Sequence, residues 1–235
     1  MSTIEVLLLI ILAFLPPITY AIWIRNTERF NREKWIPIIL CFIWGATIAI
    51  VASIFLELIL GVSLAVSIKN SSFFGLLMAI VIAPFAEEFT KPLALRLKTV
   101  RRELDELEDG LIYGAVAGLG FSATENLLYG YNFLSEGLFF FFVLMIMRSF
   151  GGCLLHASAT ALTGYGYGKS VMRKTSIVRV LPFFILAFIV HAFYNLLLSV
   201  DILGVTSSLL IALIFAGLTI ILVRKKIQTL DGSTR

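Results

Sequence analysis

Two glutamates and a lysine stand close together near the end of the third apolar stretch of the chain, at Glu87, Glu88 and Lys91. A charge inside an apolar segment costs roughly 3 kcal/mol unless it is paired or faces a polar cavity. The next three apolar stretches also carry strongly polar residues, including both histidines of the chain. These residues are Glu125, Asn126, Arg148, His156, His191 and Asn195. Because four successive segments contribute, we expect the side chains to converge on one polar site.

Glutamate and histidine in a buried site indicate hydrolytic chemistry of one of two kinds. Two imidazoles and a carboxylate can hold zinc with one position open for water, while another glutamate acts as general base. Alternatively, a desolvated glutamate can activate water without a metal, while histidine and asparagine stabilise the oxyanion. The soluble-protease signature H-E-x-x-H is absent from the sequence, so spacing does not select between the two.

The composition predicts a membrane environment for these residues. The chain has 235 residues, of which 59% are hydrophobic and 14% charged, and its mean hydropathy of +0.97 is far from that of soluble domains. Apolar runs long enough to cross a bilayer occupy 4–24, 35–60, 72–96, 110–133, 138–165, 181–199 and 202–223. The sequence therefore predicts an all-α polytopic membrane protein, a single bundle at 1–235 of seven to eight helices with a catalytic core at about 72–200.

The distribution of basic residues predicts the orientation of the bundle. Sixteen of the 19 Lys and Arg residues fall in the first, third and fifth linkers and the C-terminal tail, whereas the opposite linkers hold only Lys69. By the positive-inside rule, the N-terminus is extracytoplasmic and the C-terminus cytoplasmic. Topology thus accounts for the net charge of +4, and we expect the lipid bilayer as a partner and no nucleic acid.

The spacing of the charged residues and the positions of proline and glycine predict how the helices place the polar side chains. Glu87 and Lys91 are four residues apart and share a helix face, while Glu88 points about 100° away. Pro84 and Pro92 flank this group and should free backbone groups around it. In the third linker, the charged run 101–109 contains no Gly or Pro, so we expect it to continue the third helix. The run G-A-V-A-G at 114–118 predicts close helix packing.

Four short motifs together resemble a known family. Residues 87–91 match E-E-x-x-K, residues 121–126 match F-x-x-x-E-N, His156 lies on a separate helix, and residues 191–195 match H-x-x-x-N. In order and spacing they are similar to the PrsW family of intramembrane proteases, within the larger superfamily of CAAX prenyl proteases and bacteriocin-processing or immunity proteins (CPBP, Abi). The resemblance implies cleavage of membrane-anchored, single-span substrate proteins, typically an anti-sigma factor.

The resemblance also implies roles for individual residues. By position, Glu87 would be the general base, Glu88 its acidic neighbour, and His156 a ligand or a water-orienting group. His191 and Asn195 would stabilise the oxyanion. Glu125 stands where prenyl-protease relatives usually have histidine, which favours the PrsW-like branch. If a metal such as zinc is used, its ligands would be Glu125, His156 and His191.

Three other functions use the same residues. The acids and histidines could form the relay of a proton- or ion-coupled transporter, although the sequence shows no inverted repeat and no matching pair of broken helices. A CAAX-type prenyl-protein endopeptidase would share the scaffold, but Glu125 argues against it. A non-catalytic binding or immunity protein on this scaffold would lack motif residues, and all of them are present.

Overall fold

The computed structural model describes residues 2–201 and 204–232, which form a helical bundle without β-strands. Its seven long helices are α1 (Thr3–Arg25), α2 (Trp35–Ala65), α3 (Ser71–Arg96), α4 (Asp109–Phe133), α5 (Leu138–Met172), α6 (Ile177–Ser199) and α7 (Val205–Asp231). Each corresponds to one of the apolar runs of the sequence. The prediction of an all-α polytopic membrane protein is confirmed.

Helix α4 lies at the centre of the bundle. The other six long helices of the described residues are apolar enough to cross a membrane, whereas α4 is rich in glycine and alanine and is buried continuously from Asp109 to Ala123. It packs most extensively against α5, and then against α1 and α2. Because neighbouring helices surround α4, its side chains need not be as apolar as those that face lipid.

Small residues let α4 and α5 approach each other closely, as the run at 114–118 predicts. A Cβ atom on Gly114 would lie 2.6 Å from the carbonyl oxygen of Thr160, and one on Gly118 would collide with the carbonyl of His156. Both obstacles are backbone atoms, which cannot rotate away. The glycines therefore set the distance between α4 and the helix that carries His156.

Replacing Gly118 with alanine is expected to destabilise the fold by about 1–3 kcal/mol, since the added methyl group must push the α5 backbone away. Thermal unfolding of the purified protein in detergent measures the effect. Gly217→Ala in α7 is the matched control, because a Cβ there meets no atom within 4 Å. Equal melting temperatures for the two variants would contradict this account of the α4–α5 contact.

Helix α3 departs from α-helical geometry on both sides of the acidic pair. It contains a π-helical segment at Met78–Ile82 and ends in a 3₁₀ segment at Lys91–Arg96. In the π segment, the Ala83 amide donates to the Met78 carbonyl. The next bond of this kind would need an N–H at Pro84, which proline lacks. The carbonyl of Ala79 is thus left available to another helix.

The predicted continuation of the third helix through residues 101–109 is wrong. Helix α3 ends at Arg96, and only a single helical turn, Lys98–Arg101, follows it. Beyond that turn, the backbone amides of Asp105 and Glu106 donate to Asp109 Oδ2 at 2.8 and 2.6 Å. Aspartate side chains compete with helical hydrogen bonds in this way, so the acidic composition of the segment favours a loop here.

The chain is an integral membrane protein by the number and apolar character of its helices. The orientation with an extracytoplasmic N-terminus stays a prediction from the basic residues, as does the single-domain assignment with its catalytic core at about 72–200. The predicted seventh span includes Ile202 and Leu203, which lie outside the described residues.

Candidate functional site

Polar side chains from four helices meet in one buried cluster inside the bundle. Glu87 and Glu88 come from α3, Glu125 from α4, His156 from α5 and His191 from α6. Glu87, Glu88 and both histidines are buried, and Glu125 is partly exposed. The structure therefore brings together five of the six residues to which the family resemblance gives a role, and Asn195 is the sixth.

Lys91 lies at the centre of the cluster. Its ammonium nitrogen is 2.7 Å from Glu87 Oε2, 3.0 Å from Glu88 Oε1 and 2.8 Å from His156 Nδ1. The same nitrogen lies 4.2 Å from the centre of the Phe121 ring. Lys91 is fully buried, so its charge is compensated by the two acids that precede it on α3 and not by water.

The two histidine rings are oriented by carboxylates. Nε2 of His156 lies 2.7 Å from Glu125 Oε2, and Nδ1 of His191 lies 2.9 Å from Glu88 Oε1. A carboxylate accepts a hydrogen bond, so these two nitrogens carry the protons. Nδ1 of His156, which accepts from the Lys91 ammonium group at 2.8 Å, and Nε2 of His191 are therefore unprotonated. Carboxylates that fix metal-binding histidines in other proteins act in this way.

Both unprotonated nitrogens face the same carboxylate oxygen. Glu87 Oε2 lies 3.7 Å from His156 Nδ1 and 3.9 Å from His191 Nε2. Glu87, His156 and His191 each offer a ligand atom within 4.8 Å of the other two. Two imidazoles and a carboxylate are a donor set that zinc accepts. These residues therefore form a candidate metal centre, and a metal ion bound there would displace the Lys91 ammonium group from Glu87 Oε2 and His156 Nδ1.

Glu125 is placed behind His156 and not beside the other ligand atoms. Its Oε2 accepts from His156 and also from Arg148 Nη2 at 2.7 Å. Arg148 in turn donates from Nε to Asn126 Oδ1 at 2.6 Å and packs over the Tyr129 ring. Glu125 and Arg148 thus position His156, and the assignment of Glu125 as a metal ligand stays a prediction.

Comparisons of the sequence with known proteins identify the family of the chain. The family described as PrsW family intramembrane metalloprotease matches residues 33–222, which include the whole cluster. The chain belongs to this family. Protease PrsW of Clostridioides difficile (strain 630) is 29% identical over 126 residues, which cover 52% of this chain and 50% of that protein. The chain thus spans about half the length of this curated relative. No solved structure matches the chain.

Asn195 contacts the backbone of α3 in this PrsW-family chain. Its Nδ2 donates to the Ala79 carbonyl at 2.9 Å, the group that the π segment and Pro84 leave available. The bond ties α6, which carries His191, to the helix that carries the acidic pair. The predicted role of Asn195 at the oxyanion stays a prediction.

Two residues that surround the PrsW-family site are given no role by the sequence analysis. Thr160 donates from Oγ1 to Glu88 Oε2 at 2.9 Å, and Phe121 lies against both Lys91 and His156. Thr160 follows His156 by four residues on the same face of α5, so its spacing is a usable signal. Phe121 is the first residue of the F-x-x-x-E-N motif, but an apolar side chain in an apolar helix gives no signal of its own.

Replacing Lys91 with methionine is expected to destabilise this PrsW-family chain by about 3–5 kcal/mol, because the substitution leaves buried acids without their counter-charge. Denaturation of the variant in detergent measures the loss. Lys34→Met is the matched control, since Lys34 forms an exposed pair with Glu103 and its loss should change stability little. A Lys91→Met variant as stable as this control would show that the acids are not held by the ammonium group.

Proposed function

We propose that this chain is an intramembrane metallopeptidase that hydrolyses a peptide bond of a membrane-anchored protein. The observation that carries the proposal is the approach of Glu87 Oε2 to the two unprotonated imidazole nitrogens of His156 and His191. The family match and the curated relative support a protease. Placement within the CAAX prenyl protease superfamily is part of the proposal and rests on the motifs.

Glu87, His156 and His191 are the residues that would hold the metal, and we propose zinc. When bound there, zinc would polarise the scissile carbonyl group and make a nearby water molecule more acidic. Glu125 accepts from His156 Nε2, and Glu88 accepts from His191 Nδ1. These contacts keep His156 Nδ1 and His191 Nε2 unprotonated. Loss of either carboxylate would let its histidine rotate or change tautomer.

Of the two adjacent acids, we assign proton transfer to Glu87. Its side chain keeps 8% exposure, whereas that of Glu88 is fully buried, so only Glu87 can meet water. Glu88 is committed to Lys91, His191 and Thr160. Glu87 would hold the metal through Oε2, which faces both imidazole nitrogens. Its other oxygen, Oε1, would accept the proton of the attacking water and deliver it to the leaving amine.

We assign stabilisation of the oxyanion to the side-chain amide of Asn195. The Nδ2 group carries two hydrogens, and the bond to the Ala79 carbonyl uses one of them. The second is available to the oxygen of the tetrahedral intermediate. A positioned donor of this type typically contributes a factor of about 100–1000 to the rate.

For the substrate, we propose a single-span membrane protein of the anti-sigma-factor kind. The cluster is enclosed by helices whose outer faces expose large apolar side chains, so a segment that approaches from the bilayer has the shortest path. Glu125 and Arg148 keep 17% and 16% side-chain exposure and form the accessible edge of the cluster. A scissile segment would enter beside them with its backbone locally unwound.

Proteoliposomes that hold the purified protein and a panel of single-span reporter proteins test the proposal. We expect cleavage of a reporter, loss of cleavage with a membrane-permeant zinc chelator, and recovery on addition of Zn²⁺. The same vesicles should show no proton or ion flux. Flux without cleavage would instead establish the transporter alternative, and cleavage that withstands the chelator would contradict the metal assignment.

A further inference from the structure

Five acidic side chains from distant parts of the sequence are buried together at one end of the bundle. They come from the loop between α1 and α2, from the loop that leads into α4, and from the last residue of α7. Their exposed fractions lie between 0% and 6%. The residues are Glu28, Glu33, Glu108, Asp109 and Asp231.

Several of these carboxylates are positioned by backbone and side-chain donors. Asp231 Oδ2 accepts from the Arg29 amide at 2.9 Å, and Oδ1 accepts from the Phe30 amide at 3.3 Å. Glu28 Oε2 accepts from the Glu33 amide at 2.9 Å. The Tyr113 hydroxyl donates to Glu33. The cluster is therefore built into the fold.

Glu108 differs from the other acids because its side chain has no hydrogen-bond partner among the residues that the structure describes. Its side chain is completely buried, and within residues 2–201 and 204–232 neither carboxylate oxygen has a hydrogen-bond donor. Oε1 of Glu28 is unsatisfied in the same way. A buried carboxylate without donors carries a large desolvation penalty, which native structures rarely leave uncompensated.

Basic residues of the described chain do not supply the missing charge. None of its ion pairs involves Glu28 or Glu108. The nearby Arg32 donates from Nε to the Glu28 carbonyl, and Arg224 donates from Nε to Thr27 Oγ1. Within residues 2–201 and 204–232, neither Glu28 nor Glu108 therefore has a basic side chain at ion-pair distance.

Glu28, Glu108 and Asp231 are close enough to share one ion. Each offers a carboxylate oxygen within 4.8 Å of the other two. We propose that these three residues bind a hard divalent cation, Mg²⁺ or Ca²⁺, which ties the two loops to the end of α7. Both ions prefer oxygen ligands. The candidate metal centre inside the bundle contains two imidazoles, so the two sites differ in chemistry and in the ions that they select.

Thermal unfolding of the full chain in detergent, after removal of cations, tests the site. We expect separate titrations with Mg²⁺ and Ca²⁺ to show a saturable increase in Tm of about 5–10 °C for the preferred ion at 100 times its Kd. The ion with the lower Kd is the ligand. A lack of any saturable increase with either ion would overturn the proposal. The response should persist in His191→Ala, because that substitution affects only the other site.

Glu108→Gln is the decisive variant. We expect it to weaken the cation affinity at least tenfold and to raise the Tm of the cation-free protein, because it removes an uncompensated charge. Glu103→Gln removes a charge from the same loop at the exposed pair with Lys34, and it should keep the full response. An unchanged response in Glu108→Gln would overturn the proposal. If that variant does not purify as a monodisperse protein, Glu28→Gln serves in the same comparison.

Discussion

Replacing Glu87 with glutamine is expected to lower the rate of reporter cleavage at least about 1000-fold. Glutamine has nearly the same shape but cannot accept the proton of water, and it is a poor zinc ligand. The amide can still accept a hydrogen bond from Lys91, which lies 2.7 Å from the carboxylate, so the fold should survive. Initial cleavage rates in detergent, with the melting temperature of each variant, measure the effect.

Glu136→Gln is the control for the charge change. Glu136 is exposed, in the short segment Leu134–Glu136 that follows α4, and its replacement should leave the rate unchanged. A Glu87→Gln variant that is folded and cleaves at the wild-type rate would remove Glu87 from the mechanism. A second carboxylate of the cluster would then have to accept the proton.

Replacing His191 with alanine is expected to reduce bound zinc from about one equivalent to nearly none and to lower cleavage at least about 100-fold. The substitution removes the nitrogen that lies 3.9 Å from Glu87 Oε2, and two remaining ligands do not hold zinc tightly. Elemental analysis of the purified variant gives the stoichiometry, and the reporter assay gives the rate.

Asn195→Ala is the matched control for metal binding, because Asn195 lies one turn further along the same face of α6. Its side chain contacts the Ala79 carbonyl and not the ligand atoms, so zinc should remain while the rate falls. Full zinc content in His191→Ala would contradict the assigned ligand set. Loss of zinc in Asn195→Ala would show that Asn195 acts by holding the helices together.

The convergence of the site could be predicted because burial makes isolated charges costly. Glu87, Lys91, His156 and His191 are polar residues in apolar segments, and each needs a partner from another segment. Composition and the lengths of the apolar runs likewise predicted the helical bundle. These inferences needed no knowledge of which helices are neighbours.

The pairing of individual atoms could not be predicted, since it depends on tertiary contacts. The sequence offers three glutamates and two histidines with no rule for which carboxylate faces which nitrogen. In the structure, Glu125 accepts from His156 Nε2 and Glu88 accepts from His191 Nδ1. Glu87 faces the other nitrogen of each ring. The contact between Asn195 and Ala79 likewise depends on a π segment next to a proline, which helical spacing does not indicate.

The loop that contains Glu108 shows a second limit of sequence reasoning. Its charged run contains no Gly or Pro, and it therefore predicted a continuous helix. The third helix instead ends at Arg96, and the carboxylate of Asp109 binds the amides of Asp105 and Glu106 in the loop that follows. The burial of Glu108 against Glu28 and Asp231 joins residues that are 80 and 123 positions apart in the sequence, which local patterns cannot reveal.

The most direct test of the central claim is cleavage of a single-span reporter by the purified protein in water enriched with ¹⁸O, followed by mass spectrometry of the products. The account predicts two fragments, with one ¹⁸O atom in the new C-terminal carboxyl group, from the wild-type protein and none from Glu87→Gln. An intact reporter with the zinc-loaded wild-type protein, or equal cleavage by both proteins, would contradict it.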